Sequence, residues 1–221
     1  MNLKKNLFRF TGTLLIALLA AGCASTNPTR YSDLASAGQL QTNTGSQAAR
    51  IPFRYETATK WSEYRNVIID PVSVYRGADA QFKDISEAEK SELSRYMQEA
   101  FSKELSARFK LSRDPAPGTL RVKLSLTGAE PTTRVVAPIL RFDLVGMPYN
   151  IVQSIRGKEG ALTGSVMYAV EIYDAQSKQL LNAYVAKQYP NAMNVLANFS
   201  ALGAAKTGLD KGATELASAL Q

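Results

Sequence analysis

The sequence predicts an α+β domain: a mixed or antiparallel sheet of about four to five strands with helices packed on one face. Three observations predict it. A long amphipathic helix separates an early β-branched run from a later alternating strand. Two further strand patterns are joined by a short polar turn, which favours antiparallel pairing. A small-residue helix then closes the chain.

The first strand is the β-branched run NVIIDPVSVY at 66–75, consistent with burial on both faces. Pro71 lacks a backbone N–H, which predicts an edge position or a bend after Ile69. The long helix begins at Ser86, whose S-x-x-E spacing to Glu89 forms a capping box. Leu93, Met97, Ala100, Phe101, Leu105 and Phe109 follow at helical spacing on one face, and the helix stops before RDPAPG at 113–118. In the next segment Leu120, Val122, Leu124 and Leu126 alternate with Arg121, Lys123, Ser125 and Thr127, the period-two pattern of a half-buried strand. LTGSVMYAVEIYD at 162–174 and QLLNAYVAKQY at 179–189 are two more strands, and DAQSK between them predicts a hairpin.

The last element is a helix from about residue 193 to 220. Ala204, Gly208 and Gly212 recur every four residues, and Leu202, Leu209 and Leu216 every seven. Two interior glycines cost about 1 kcal/mol each relative to Ala. Close backbone approach to the sheet would offset that, with self-association as the second explanation. Lys206, Asp210, Lys211 and Glu215 exclude a membrane span for this helix.

The N-terminus concerns location. Lys4, Lys5 and Arg9 precede the uncharged run FTGTLLIALLAAGC at 10–23, the layout of a secretory signal. The run is shorter than the ~20 residues of a spanning helix. It ends on Cys23, the one cysteine of 221 residues. LAAGC resembles the bacterial lipobox, with Ala20 where Leu is usual. That resemblance implies a diacylglyceryl thioether on Cys23, cleavage before it and acylation of the new terminus. Two or three chains, at about 0.8 kcal/mol per buried CH₂, anchor a protein for good. Ala24, where inner-membrane lipoproteins carry Asp, implies the periplasmic face of a Gram-negative outer membrane. Residues 1–22 are then a signal peptide, 23–50 a polar flexible tether, and 51–221 a single periplasmic domain. A coil of that length spans on the order of 30 Å.

Of the 26 basic residues, signal removal takes Lys4, Lys5 and Arg9, leaving 23 against 19 acidic residues, a net +4. That excess is too small and too scattered to indicate nucleic acid as a partner. With Cys23 lipidated no disulfide can form, so the core alone must hold the fold.

The segments KWSEYRNVIIDPVSVYRGADAQFKDISEAEKSEL, LRVKLSLTGAEPT and YAVEIYDAQSKQLLNA, in this order and spacing, resemble the DUF3313 family of bacterial lipoproteins over roughly residues 30 to 190. Tyr31-Ser32-Asp33-Leu34 resembles that family's upstream Tyr-Ser motif. The family carries no assigned activity, so the resemblance implies location and fold rather than chemistry. The layout is also similar to small periplasmic α+β domains of envelope-assembly lipoproteins, an analogy of fold alone.

Catalytic candidates are few. The chain has no His, which removes the commonest general base and metal ligand. AAKTG at 204–208 lacks the glycine that a phosphate loop needs before its lysine, and KTG lacks the S-x-x-K and S-D-N partners of penicillin-recognising enzymes. No cofactor and no metal site is expected. Asp70, Arg76 and Asp79 form a candidate polar site at the end of a strand. The alternative is that Asp79 and Asp84 favour the helix dipole while Arg76 pairs with one of them. The apolar stretch 135–155, with Leu140, Phe142, Leu144, Met147, Tyr149 and Ile151, is either core or a surface contacting a partner or lipid. The resulting expectation is a lipid-anchored, non-enzymatic binding or accessory module with an unknown envelope protein partner. The alternatives are a subunit of an oligomeric assembly or secretion complex, or a hydrolase using Asp70 and Asp79.

Overall fold

The structure, a computed structural model, describes residues 26–132, 164–190 and 200–221. In chain order the elements are β1 (Gln41–Thr42), β2 (Phe53–Glu56), β3 (Asn66–Ile69), β4 (Ser73–Val74), β5 (Gln81–Phe82), α1 (Glu87–Ser106), β6 (Lys110–Leu111), β7 (Thr119–Glu130), β8 (Ser165–Asp174), β9 (Leu180–Gln188) and α2 (Gly203–Ala219). All nine strands among the described residues belong to one mixed sheet, ordered β1-β2-β9-β8-β7-β3-β6, with β4 and β5 also on β7. The class is as expected; the strand count exceeds the expected four to five. The five surplus strands are two to four residues long, too short to carry a period.

The antiparallel meander β7–β8–β9 is the centre. Its β8–β9 turn is closed by Asp174, whose Oδ1 accepts from the amides of Gln176 and Ser177 at 3.1 and 2.7 Å. β2 adds antiparallel to β9, and β1 to β2. On the other side the chain meets β7 three times in parallel: β3 at 119–122, β4 at 125–126 and β5 at 128–129. Parallel neighbours need a crossover, and α1 supplies it. The break expected after Ile69 is present: β3 ends there, and the ladder resumes past Pro71 at Ser73.

Both α-helices among the described residues lie on one face of the sheet. Leu93, Met97, Phe101 and Leu105 of α1, and Leu209, Ala213 and Leu216 of α2, pack on Leu120, Val122, Leu124, Val166, Tyr168 and Val170. The helices are joined to each other by Lys206–Glu92 at 2.6 Å and by the Tyr96 hydroxyl, which donates to Asp210. The C-terminal helix starts at Gly203, with Leu202 as its N-cap, so residues 200–202 of the expected helix form a turn instead; residues 193–199 lie outside the described residues. Its small-residue stripe packs on the sheet, as expected. A Cβ on Gly208 would lie 3.0 Å from both the Gln188 carbonyl and a Val166 methyl, and one on Gly212 would overlap the Tyr168 hydroxyl.

The capping box of α1 is formed in full. The Glu89 amide donates to Ser86 Oγ at 3.3 Å, and the Ser86 amide donates to Glu89 Oε2 at 2.9 Å. Ser86→Ala is expected to cost about 1 kcal/mol and to lower the melting temperature by about 2–4 °C in a domain of this size. Thermal unfolding followed by circular dichroism checks it; an unchanged midpoint would show that the cap carries no weight.

The expected tether is corrected. Within its described part, residues 26–40 are folded onto the sheet face opposite the helices instead of forming a loose coil. Tyr31 is fully buried there, Leu40 is 2% exposed and Leu34 8%. They pack with Tyr75, Ala169, Leu180, Ala183 and Val185. The segment's composition is polar on average, but these three side chains meet a sheet face that is itself apolar. Burial is decided by that meeting and not by the average.

Candidate functional site

The three residues of the candidate polar site do not converge. Asp70 follows β3, and both its oxygens accept from Arg121 Nε at 3.0 Å. Arg76 pairs with Glu87 at 3.0 Å on the exposed start of α1, not with Asp79 or Asp84. Asp79 faces the N-terminal segment. The Asp70 amide bonds the Val122 carbonyl, whereas Gln81, just after Asp79, lies opposite Gly128. At ~3.3 Å per residue of β7 that separates the two carboxylates' backbones by roughly 15–20 Å. The pairing of Asp70 and Asp79 in one catalytic cleft is therefore corrected. Each sits where its own stretch of the β7 edge carries it. Cys23 and the stretch 135–155, with Leu140, Phe142, Leu144, Met147, Tyr149 and Ile151, lie outside the described residues.

What Asp79 does build is a latch. Its Oδ1 accepts from the Tyr75 hydroxyl at 2.6 Å; its Oδ2 accepts from the Ser32 amide at 3.0 Å and from Thr29 Oγ1 at 3.4 Å. The Tyr75 hydroxyl accepts in turn from the Asp33 amide at 3.0 Å. Tyr31 stands edge-on to Tyr75, with centroids 5.2 Å apart, and its hydroxyl donates to Gln81 Oε1 at 2.6 Å. Tyr31 adopts φ 53°, a left-handed backbone uncommon for a bulky residue. That turn drops its ring into the sheet while the chain bends away. Further along, the Ser36 amide donates to buried Glu171 at 2.7 Å. The Tyr-Ser motif of the sequence is thus the element that seals the second face. Burial raises the pKa of both Tyr31 and Tyr75, so both remain hydrogen-bond donors at neutral pH.

Partial burial pushes the Asp79 carboxyl up, but the bonds from Tyr75, the Ser32 amide and Thr29 outweigh it and leave the pKa below the usual value. A depressed carboxyl stabilises the fold above its unfolded-state pKa of about 3.9, and that contribution is lost as pH falls through the lower folded value. Below about pH 4 the segment 29–33 is therefore expected to loosen. Amide exchange measured against pH should show Ser32 and Asp33 losing protection there, and Asp79→Asn should flatten that dependence. A dependence unchanged in Asp79→Asn would remove Asp79 as its source.

A second feature lies on the helix side, where the sheet runs past α2. A cleft of about 350 Å³ opens between the end of α2 and the β2–β9 edge. Tyr168 and Tyr184 line its floor, Trp61 stands at one side, and Arg54 and Glu56, paired at 3.2 Å, stand at the rim. Gln188 links its two ends: its Oε1 accepts from Arg50 at 2.8 Å and its Nε2 donates to Glu215 at 2.5 Å. Burial holds the pKa of Tyr168 and Tyr184 above the ordinary tyrosine value, and the Glu215 charge adds to it. Both phenols stay protonated near neutrality and can donate or stack but not act as bases. Tyr168 and Gln188, each 1% exposed, close the base of the cleft, while Trp61, Asn182, Tyr184 and the Arg54–Glu56 pair are the lining open to a small polar ligand. Among the described residues no group of three His, Cys, Asp or Glu side chains could hold a metal ion, and no helix is long and apolar enough to cross a membrane.

The sequence reading missed both features. For the latch the available signal was β8 itself: Val166, Met167, Tyr168, Ala169 and Val170 are apolar without alternation, so both faces of that strand need cover. For the cleft there was no local signal, because its residues come from four separated parts of the chain, 47–61, 168–172, 182–188 and 215–220.

The fold and the two features define an α+β domain with helices on one face of a mixed sheet and an N-terminal segment latched on the other. The chain belongs to the DUF3313 family, described as proteins of unknown function, over residues 30–216. No curated protein matches it. Among solved structures, a PelC dodecamer from Paraburkholderia phytofirmans shares 7% identity, covering 74% of this chain and 93% of that one, with a TM-score of 0.39. Hypothetical protein CT253 from Chlamydia trachomatis shares 10% identity over 71% of this chain and 98% of that one, TM-score 0.37. A neuraminyllactose-binding hemagglutinin homolog from Helicobacter pylori shares 11% over 73% and 83%, TM-score 0.31.

Proposed function

We propose that this protein is a lipid-anchored envelope protein whose domain works as a binding or accessory module at the periplasmic face of the outer membrane. The observation that carries the proposal is the lone cysteine at the end of LAAGC, after a basic start and an apolar run. A thiol there serves attachment, and Ala24 after it favours the outer membrane. The domain supplies a surface rather than a reaction: a cleft with aromatic walls and protonated phenols, and a pair of carboxylates too far apart to act together. Anchoring would raise the effective concentration of that surface for a neighbour in the same plane.

The test is chemical. The mature protein should carry a diacylglyceryl thioether and an acylated α-amine on Cys23, fractionate with outer membranes, and accumulate as precursor when lipoprotein signal processing is inhibited. Cys23→Ala should leave the protein unprocessed by the lipoprotein pathway. A freely soluble product with an unmodified thiol would overturn the proposal.

A further inference from the structure

We infer that the end of the domain where β7 finishes and β8 begins faces the lipid bilayer, with the β8–β9 turn held away from it. The inference rests on acylation of Cys23 as proposed above. It follows from how close to that residue the chain becomes fixed.

Thr26 is held from both sides. Its Oγ1 donates to Glu130, and its carbonyl accepts from Lys187 Nζ at 3.0 Å. Glu130 is the last residue of β7, Ser165 lies opposite it at the start of β8, and Lys187 sits next to the end of β9. The Ser165 hydroxyl also donates to Glu130, at 3.4 Å, and Lys187 lies 4.0 Å from the same carboxylate oxygen. Lys187 is only 2% exposed. A buried ammonium and a half-buried carboxylate that hold a backbone carbonyl and a hydroxyl between them make a clip rather than a surface contact, because releasing Glu130 or the carbonyl strands the buried Lys187 charge. One residue on, the Asn27 carbonyl accepts from Gln81 Nε2 at 2.9 Å.

Cys23 lies three positions before Thr26, and fully extended that stretch reaches no more than about 10 Å. With the thioether in the headgroup layer, the clip lies within that distance of the membrane. A flexible coil to residue 51 would have allowed on the order of 30 Å and no fixed orientation. The opposite end of the sheet is the Asp174–Gln179 turn. β8 runs ten residues from Ser165 to Asp174, which at ~3.3 Å per residue sets that turn about 30 Å beyond the clip. The cleft beside α2 then opens on the flank, along the membrane plane.

The lone native cysteine is consumed by lipid, so an added cysteine is a unique labelling site. Ser200, exposed and one residue from Ala201, whose carbonyl accepts from Thr132 just past β7, marks the clip end. Gln176, exposed in the β8–β9 turn, marks the far end. Each of Ser200→Cys and Gln176→Cys, in the full-length acylated protein, is labelled with a fluorophore. The proteins are reconstituted into phosphatidylethanolamine–phosphatidylglycerol vesicles carrying a nitroxide headgroup lipid. The label at 200 should lose most of its emission and that at 176 almost none. Inserting about 20 Gly/Ser residues between Ala24 and Ser25, a coil of about 25 Å, should abolish the difference. Mass spectrometry of the same samples separates the two readings. An unmodified Cys23 removes the anchor and this inference with it. An acylated Cys23 with equal quenching at both positions, or stronger quenching at 176, overturns the orientation alone.

Discussion

Tyr31→Ala is expected to cost about 3–5 kcal/mol, the range for removing a large aromatic side chain from a packed site. The ring is fully buried, stands edge-on to Tyr75, and its hydroxyl holds Gln81 at 2.6 Å. Its loss leaves a cavity between the N-terminal segment and the sheet and deprives Gln81 Oε1 of its Tyr31 donor. Tyr31→Phe, which keeps the volume and loses one hydrogen bond, should cost about 1 kcal/mol. Denaturant unfolding gives both values. Amide exchange gives their place: in Tyr31→Ala the amides of Leu34, Ala37 and Leu40, now bonded to carbonyls three or four residues earlier in the same segment, should lose protection before those of α1 or β8. A loss under about 1 kcal/mol for the alanine variant, with exchange unchanged, would mean that the segment merely rests on the sheet.

Gly212→Ala should be destabilising, although at an exposed helix position the same change would stabilise by about 1 kcal/mol. The reversed sign is the diagnostic feature. The new Cβ would overlap the Tyr168 hydroxyl. That ring cannot retreat, because it is 1% exposed and packs edge-on against Phe101 at 5.6 Å. Overpacking of this kind costs about 1–3 kcal/mol, which outweighs the helix-propensity gain over most of that range. Gly212→Val, with two further methyls and a lower helix propensity than Ala, should cost more. A double-mutant cycle with Tyr168→Phe tests the geometry directly. Removing the hydroxyl oxygen should recover part of the loss, so the two changes should couple by more than about 0.5 kcal/mol. Additive effects, or a stabilising Gly212→Ala, would show that α2 does not approach β8 as described.

Most of the central structure was readable because each central element carries its own period. Ser86 and Glu89 form the cap their spacing announces, Leu93, Met97, Phe101 and Leu105 are buried on one face of α1, and β7 buries its expected leucines and Val122. The glycines of α2 signalled a close approach, and Gly208 and Gly212 make one. The candidate site was less legible. Asp70, Arg76 and Asp79 are close in sequence, but the chain between them runs along the edge of β7, so proximity in number became separation in space. Of the partners of Asp79, Tyr75 lies four residues back, but Ser32 and Thr29 lie 47 and 50 residues upstream, distances over which no local pattern reports.

By itself the sequence determined the lone Cys23, the family likeness and the order of long helix, alternating strand and hairpin. These are properties of contiguous residues, whose side-chain periodicity or composition fixes them before any contact forms. Only the tertiary structure decided that residues 26–40 cover the second face, that β1, β5 and β6 exist as strands, and that Thr26 is clipped beside Lys187 and Glu130. Two-residue strands and a polar-looking segment have no stability of their own. They are ordered by ladder bonds and apolar surface that a distant part of the chain presents, so their conformation is a property of the pair rather than of either stretch.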